Sequence, residues 1–270
     1  MLLKRWITAL CLTPFIVWLI LMGSGDHFAL FVAAVSLVAL WEYFGIVLPR
    51  TPKTHPDILA VFAASPPLIW SVHISRFDIA AGLMTLTVLL FGAASIAGFK
   101  KDAEVGKKAA FGLLGIVYVS LFLSWAVLIR DGRDGIVWIF ILAVSVFAGD
   151  TGAYYAGTRL GRRPLCPFVS PKKTVEGAIG GLAATVCAGS AIKFFFLPAL
   201  PWGAVILALV LTGVFAQAGD LFESVLKRAS GIKDSGKILP GHGGLLDRID
   251  GILFAAPVVC FFQRFLAGGG

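Results

Sequence analysis

Long apolar runs separated by short charged segments make up most of the chain. A helix that crosses a bilayer needs about 20 apolar residues, and about nine runs approach that length. The third run is the weakest, because Pro66 and Pro67 interrupt it. The pattern predicts an all-α polytopic integral membrane protein with about nine transmembrane helices. The runs lie at roughly 6–22, 27–48, 57–74, 79–98, 109–129, 136–157, 176–195, 203–221 and 250–266.

The composition supports a membrane protein. The chain has 270 residues, of which 58% are hydrophobic and 14% charged, with a mean hydropathy of +0.90. A soluble domain is usually about a quarter charged. The first run resembles a signal peptide but lacks a clear cleavage site, so we interpret it as the first membrane helix. We expect one membrane domain, in which 1–135 supplies N-terminal helices and 136–270 supplies the catalytic helices and loops.

The loop charges predict the orientation. The net charge is +8, and the cations lie between the apolar runs. If the N-terminus is cytoplasmic, 18 of the 23 Lys and Arg residues face the cytoplasm. This bias predicts a cytoplasmic N-terminus and an external C-terminus. It favours anionic lipids and phosphate substrates as partners over nucleic acid. The cysteines form no CxxC pair or Cys/His cluster, so we expect neither a disulfide framework nor a zinc site.

Two long loops on the predicted cytoplasmic side, at about 158–175 and 222–249, are where chemistry is expected. Asp150 lies inside the run that precedes the first loop, and Tyr154 shares its helix face. A carboxylate within a span is costly, so it needs a partner or a wet cavity. Asp150 therefore belongs either to a functional site or to a structural ion pair.

The segment SPKKTVEG, 170–177, ends the first loop. We expect Pro171 to stop regular structure, and Thr174 to cap a helix that carries Glu176 in its first turn. Lys172 and Lys173 beside exposed helix N–H groups would bind phosphate. A charged helix start at the membrane interface is the alternative interpretation. Small residues in the following helix predict close packing against another helix, namely Gly177, Gly181 and Ala184.

The segment AQAGDLFESVLKR, 216–228, mixes acids with cations at the end of a helix. Asp220 suits a hard cation such as Mg²⁺, whereas Lys227 and Arg228 suit phosphates. Glu223 and Ser224 follow Asp220 by one turn. An ordinary amphipathic helix end would look similar.

The segment KDSGKILPGHGGLLDRID, 233–250, combines glycines, acids and cations. Its glycines let backbone N–H groups approach an anion closely. Asp247 and Asp250 are three residues apart at the start of a helix, which places them on one face. His242 is either catalytic or structural. The combination is more specific than any of its parts.

The C-terminal half, roughly 140–255, resembles the phosphatidate cytidylyltransferase family. Segments GDTGAYYAG (149–157), SPKKTVEG and GDLFES (219–224) are similar to family segments in the same order. The N-terminal runs resemble the family only in being hydrophobic. The family signature is matched at Ser224, Lys227, Arg228, Lys233, Asp234, Pro240, His242, Gly243, Gly244, Asp247, Arg248 and Asp250.

The resemblance implies the reaction of CTP with phosphatidate to give CDP-diacylglycerol and pyrophosphate, at the cytoplasmic face of a bacterial inner membrane. It implies Mg²⁺, with room for a second cation, and leaves the oligomeric state open, a homodimer included. Asp220 and Asp247 are the expected metal ligands, with Asp150 and Asp250 as second choices. The expected catalytic residues are Asp220, Asp247, Lys227, Arg228, His242 and Asp234. The expected substrate-binding residues are Lys172, Lys173, Arg248, Ser224, Gly243 and Gly244.

Three other functions fit the sequence less well. A transporter or flippase would also place an acid within the membrane, but the charges cluster on one side and no inverted repeat is visible. A CDP-alcohol phosphotransferase needs a D-G-x₂-A-R helix motif, which DGRDG at 131–135 does not satisfy. A structural scaffold does not explain four acids near one interface.

Overall fold

The computed structural model describes residues 2–100, 102, 104–236, 238 and 243–268. The described chain is mainly helical and includes one short β-hairpin. The helices are α1 Leu2–Met22, α2 Gly25–Val47, α3 Pro56–His73, α4 Phe77–Gly98, α5 Val105–Gly115, α6 Phe122–Asp131, α7 Gly135–Leu160, α8 Val175–Phe196, α9 Trp202–Ala229 and α10 Leu246–Gly268. A π-helical segment, Ile116–Leu121, joins α5 to α6. The strands are β1 Pro164–Cys166 and β2 Ser170–Thr174.

Seven helical stretches within the described residues are long and apolar enough to cross a membrane. The protein is therefore an all-α polytopic membrane protein, as the apolar runs predict. A helix also lies at each of the other predicted runs, α1 and α3, but neither is among these seven stretches. The seven stretches are Gly25–Val47, Phe77–Gly98, Val105–Asp131, Gly135–Leu160, Val175–Phe196, Trp202–Ala229 and Leu246–Leu266.

The two prolines of α3 do not interrupt the helix, contrary to the sequence expectation. Pro66 and Pro67 both lie inside a continuous helix. Each proline removes one backbone N–H from the helical ladder. Packing against neighbouring helices lets membrane proteins tolerate this loss. The preceding residue, Ser65, is fully buried and hydrogen-bonds Ser36 of α2 and Ser120 of the π-helical segment.

The chain forms two compact units. The first unit comprises Met1–Leu128 together with Asp234–Asp247, and the second comprises Ile129–Lys233 together with Arg248–Gly270. Helix α10 therefore begins in the first unit and continues in the second. The predicted division of the membrane domain into 1–135 and 136–270 separates N-terminal from C-terminal helices along the sequence, and it stays an expectation.

The first unit is built around α2 and α3. Tyr43 of α2 is completely buried and donates a hydrogen bond of 2.9 Å to the carbonyl of Phe111 in α5. Gly112 faces the ring of Phe91, where a larger side chain would collide with it. These contacts join α2, α4 and α5 through well-packed aromatic side chains.

The second unit depends on close packing between α7 and α8. A side-chain carbon at Gly152 of α7 would collide with Ala184 of α8, and one at Gly181 would come within 2.9 Å of Ala153. Thr185 of α8 donates a hydrogen bond of 3.1 Å to the carbonyl of Ser145. The prediction that small residues in α8 admit another helix is confirmed, and that helix is α7.

The first long loop contains regular structure that the sequence analysis did not predict. β1 and β2 pair antiparallel, with Pro164 opposite Thr174 and Cys166 opposite Ser170. Pro171 lies inside β2, so the expectation that it stops regular structure is wrong. A two-stranded hairpin has only edge strands, and an edge strand tolerates proline because one side of it makes no ladder hydrogen bonds.

The second long loop is shorter than predicted. α9 extends to Ala229, about two turns beyond the predicted end at 221. Lys227 and Glu223 form an i,i+4 ion pair of 2.8 Å within this extension. Residues 222–228 are thus helical, and the segment between α9 and α10 covers 230–245.

Candidate active site

The second unit brings together a set of ionisable side chains from four elements, which we call the charged cluster. α7 supplies Asp150, β2 supplies Lys173, α9 supplies Asp220, Glu223 and Lys227, and α10 supplies Arg248 and Asp250. Of these, only Glu223 was not assigned a site role by the sequence. The sequence analysis had placed Glu223 near Asp220 without giving it one.

The centre of the charged cluster is an ion pair between Lys173 and Asp220. Both side chains are about one-third exposed, at 29% and 34%, so the protein does not enclose the pair completely. Thr174 holds the start of α8 next to Lys173, because its hydroxyl accepts a hydrogen bond of 3.0 Å from Gly177 N–H. This capping confirms the predicted helix start.

Asp150 lies beside this ion pair. Its carboxylate interacts electrostatically with Asp220, Lys173 and Arg248. α7 ends at Leu160, so Asp150 lies about 15 Å from that end at 1.5 Å per residue. Its side chain is exposed, and the neighbouring cations satisfy a charge that would otherwise be costly within a span.

The buried side of the charged cluster is acidic. Asp250 is 8% exposed and Glu223 is completely buried, and their carboxyl groups interact electrostatically. Lys227 pairs with Glu223 at 2.8 Å, so this predicted phosphate-binding lysine is held by a carboxylate.

Arg228 connects α9 to the hairpin. Its guanidinium donates to the carbonyl of Val169 at 3.2 Å and to that of Ile232 at 3.3 Å. The side chain is exposed, as are those of Lys172 and Arg248. Arg228 therefore fixes the hairpin next to the end of α9 while remaining accessible to an anion.

The first unit contains the other part of the sequence signature. Asp247, in the first turn of α10, accepts hydrogen bonds from Ser235 N–H at 3.1 Å and from Gly244 N–H at 3.1 Å. Gly243 has a φ of +87°, which a glycine adopts without strain. The Gly244 amide, predicted to bind phosphate, thus donates to a carboxylate. The phosphate-binding role of Gly243 and Gly244 stays a prediction.

Three predicted site residues remain, namely Asp234, Ser224 and His242. Asp234 is exposed in the loop, and Ser224 is half-buried on α9. His242, together with Pro240 of the signature, lies outside the described residues. Asp220 belongs to the second unit and Asp247 to the first, so their joint role in metal binding stays a prediction.

Sequence reasoning missed Glu42 of α2. Its carboxylate is 3% exposed and accepts hydrogen bonds from Leu246 N–H at 2.8 Å and from the Ser235 hydroxyl at 3.2 Å. Glu42 lies within the apolar run 27–48, which the sequence analysis interprets as a membrane helix without site residues. The cost of an acid inside a span, applied here to Asp150, is the signal that would have identified Glu42 as well.

The carboxylates of the predicted site suit a Mg²⁺ ion that takes few protein ligands, rather than a metal ion enclosed by protein side chains. No group of three or more His, Cys, Asp or Glu side chains within the described residues is arranged to hold a metal. Mg²⁺ commonly takes one or two carboxylates and completes its coordination with water and substrate phosphates. Asp220 of the second unit is partly exposed, and Asp247 of the first unit lies in the first turn of α10; each by itself is a carboxylate of the kind that Mg²⁺ takes.

These features define a class of protein: a polytopic membrane enzyme whose exposed cations and acids suit phosphorylated substrates. Comparison with known proteins narrows the class. The profile of the cytidylyltransferase family matches residues 3–266. The chain belongs to this family, which transfers nucleotidyl groups.

Curated relatives cover nearly the whole chain. The chain is 34% identical over 250 residues to the phosphatidate cytidylyltransferase of Bacillus subtilis, covering 92% of this chain and 88% of the relative. It is 37% identical over 264 residues to that of Brucella suis, covering 97% and 93%. It is 31% identical over 276 residues to that of Thermotoga maritima, covering 98% and 97%. The similarity thus extends beyond 140–255 to the N-terminal helices.

Proposed function

We propose that the protein is a phosphatidate cytidylyltransferase, which converts CTP and phosphatidate to CDP-diacylglycerol and pyrophosphate in phospholipid synthesis. Family membership and the names of the relatives support the reaction. The structural observation that carries the proposal is the accessible Lys173–Asp220 pair beside Asp150 and Arg248. A site with both signs of charge suits two anionic substrates and a cation.

The chemistry is a substitution at phosphorus. An oxygen of the phosphatidate phosphate forms a bond to the α-phosphorus of CTP. The bond from that phosphorus to the oxygen bridging to the β-phosphorus breaks, and its electron pair leaves with pyrophosphate. The attacking phosphate is already ionised, so no general base is needed. Such transfers depend on positioning and charge stabilisation.

The side chains divide this work by charge. Lys173 and Arg248 bind phosphate oxygens and reduce the repulsion between the two anionic substrates. Arg228 and Lys172, both exposed near the hairpin, extend the cationic surface for the triphosphate. Lys227 acts through Glu223, which holds its ammonium at 2.8 Å. Asp234, Ser224, Gly243, Gly244 and His242 keep their assignments as predictions from the family signature.

The proposal includes a divalent cation, Mg²⁺, held by Asp220 and Asp247 with Asp150 or Asp250 in support. When bound, the cation would neutralise charge on the phosphate oxygens. Asp220 has two alternative partners in this proposal, the Lys173 ammonium and the cation. Lys173 pairs with the Asp220 carboxylate, and a cation held by Asp220 would leave the Lys173 ammonium available to a phosphate. A second cation and a homodimer remain part of the proposal.

The orientation is part of the proposal. We infer about nine crossings with a cytoplasmic N-terminus, which places the hairpin and the loop after α9 on the cytoplasmic side of a bacterial inner membrane. CTP is water-soluble, whereas the acyl chains of phosphatidate stay in the bilayer. A site at the cytoplasmic helix ends gives access to both.

The purified protein in phosphatidate-containing vesicles tests this function. With Mg²⁺ and CTP it should form CDP-diacylglycerol and pyrophosphate in equal amounts, measured by mass spectrometry and a pyrophosphate assay. Vesicles of phosphatidylcholine alone should support no CTP consumption. Lipid movement without CTP consumption would indicate a flippase, and consumption of added CDP-diacylglycerol with release of CMP would indicate a CDP-alcohol phosphotransferase.

A further inference from the structure

A buried acid in α2 holds the loop that precedes α10. Glu42 is 3% exposed in a helix that is otherwise almost entirely apolar. Burying a carboxylate is costly unless hydrogen bonds compensate. Its Oε2 atom accepts from Leu246 N–H at 2.8 Å and from the Ser235 hydroxyl at 3.2 Å. Both donors belong to the two ends of the loop rather than to α2 or its helical neighbours.

Ser235 connects Glu42 to Asp247. Its hydroxyl donates to Glu42, and its backbone N–H donates to both carboxylate oxygens of Asp247, at 3.1 Å and 3.3 Å. Leu246, the second donor to Glu42, directly precedes Asp247 in the chain. Glu42 therefore constrains Asp247 from two directions, through the backbone at Leu246 and through Ser235.

The glycines of the loop leave little room for another arrangement. A side-chain carbon at Gly236 would collide with Oε1 of Glu42, and one at Gly244 would collide with the Ser235 hydroxyl. Gly244 also donates its N–H to Asp247 at 3.1 Å. The backbone thus closes tightly around the Glu42 carboxylate, and Ser235 and Gly244 of this loop also contact Asp247.

We propose that Glu42 is a positioning residue, which holds the Asp247 carboxylate in the orientation that binds the divalent cation. This inference rests on the proposed metal role of Asp247. Groups that orient metal ligands without touching the metal commonly change metal affinity by about 10- to 100-fold when they are removed. An apolar side chain in α2 would fill space at lower cost, but it would leave the Leu246 amide, on a completely buried residue, without this acceptor.

The direct test is Mn²⁺ binding by the purified, metal-free protein, followed by electron paramagnetic resonance without CTP or phosphatidate. Glu42→Ala should weaken Mn²⁺ binding about 10- to 100-fold. Glu42→Gln should restore binding to within about threefold of the wild type, because one amide oxygen can accept both hydrogen bonds. Ser65→Ala, which removes a buried hydroxyl elsewhere in the first unit, is the matched control and should bind Mn²⁺ as the wild type does.

Two further variants separate positioning from general stability. Ser235→Ala removes one link between Glu42 and the loop but keeps the backbone N–H that Asp247 accepts, so it should weaken binding less than Glu42→Ala. It also serves as the test if Glu42→Ala does not fold. The double variant Glu42→Ala/Asp247→Asn should bind no more weakly than Asp247→Asn alone, because Glu42 acts through Asp247.

The proposal is overturned if Glu42→Ala, or Ser235→Ala in its place, binds Mn²⁺ as tightly as the wild type. A wild type that binds no Mn²⁺ without nucleotide would also overturn it, because the proposal places an ordered ligand there before substrate arrives. These measurements need neither substrate nor turnover. A protein that passes them and makes no CDP-diacylglycerol would refute the proposed function and leave the role of Glu42 intact.

Discussion

Lys173 has two alternative partners in the proposed reaction, Asp220 and a substrate phosphate. The two side chains pair directly at one end of β2, where both are partly exposed. Metal binding at Asp220 would release Lys173 to the triphosphate. One lysine thereby connects cation binding to nucleotide binding.

Lys173→Ala should therefore raise the KM for CTP by about 10-fold or more, since a charged hydrogen bond is worth about 1.5–3 kcal/mol. Initial rates at varied CTP and saturating phosphatidate measure this effect. Lys107→Ala, which removes an exposed lysine paired with Glu104, is the control and should leave both KM values unchanged. A change in the dependence on phosphatidate alone would show that Lys173 binds the lipid phosphate instead.

Lys53, in the loop between α2 and α3, carries a buried charge at a cost. Its ammonium has no hydrogen-bond partner among the described residues and lies 5.8 Å from the ring centre of Trp41 and 5.9 Å from that of Phe44. Burial lowers the pKa of Lys53 from 10.5 to about 8. Between these values the unfolded chain holds a proton that the folded protein has released, so the free energy of unfolding rises with pH across this window.

Lys53→Met should remove that cost. The variant should melt at a higher temperature than the wild type at pH 7.5, and its stability should rise less between pH 8 and 10.5. Thermal melting in detergent across this range measures both effects. Lys107→Met serves as the exposed control, and a Lys53→Met variant with the pH dependence of the wild type would show that the ammonium is not desolvated.

At the scale of elements, the helices were predictable and the hairpin was not. Apolar runs of about 20 residues mark membrane helices because the bilayer demands that length. The strands of the hairpin have three and five residues, too few to show an alternating pattern, and Pro171 suggested a break. The extension of α9 was missed because Glu223, Lys227 and Arg228 interrupt the apolar run from which the helix was predicted.

Part of the candidate site was predictable from the positions of charged residues relative to the apolar runs. Asp150, Asp220 and Lys173 stood out because charge within or beside a span is costly, and the structure brings them together. Glu42 was not identified because nothing near it in the sequence suggests a role. Its partners, Ser235 and Leu246, are about 200 residues away along the chain and meet it only in the fold.

The contact between α7 and α8 positions Asp150 relative to β2, and its small residues can be tested. Gly152→Ala should lower the melting temperature, because the added methyl group would meet Ala184 and overpacking costs about 1–3 kcal/mol. Gly82→Ala in α4 is the control, since no described residue beyond the adjoining turns of α4 lies within 4 Å of the added carbon. Equal melting temperatures for the two variants would show that α7 and α8 are not closely packed.

At the scale of the whole molecule, the proposed function requires the charged cluster to face the compartment that contains CTP. Arg133 lies in the turn before α7, and Arg162 lies beyond the other end of that helix. Both side chains are exposed. If α7 crosses the membrane, these two positions report on opposite compartments.

Cysteine labelling in intact bacterial cells measures this orientation. In a variant whose native cysteines are replaced by serine, Arg133→Cys should react with a membrane-impermeant maleimide added outside. Arg162→Cys should react only after the cells are permeabilised. The reverse pattern would place the hairpin outside the cell and would contradict a cytoplasmic site.

The central claim is that the cytidylyl group moves from CTP to a lipid phosphate. It is tested most directly with CTP labelled at either the α- or the γ-phosphorus, given to the purified protein with Mg²⁺ and phosphatidate. The account predicts that α-label enters the lipid fraction, that γ-label appears only in pyrophosphate, and that Asp220→Asn loses lipid labelling by at least about 100-fold while staying folded. Transfer of γ-label to lipid, or full lipid labelling by the folded Asp220→Asn variant, would contradict it.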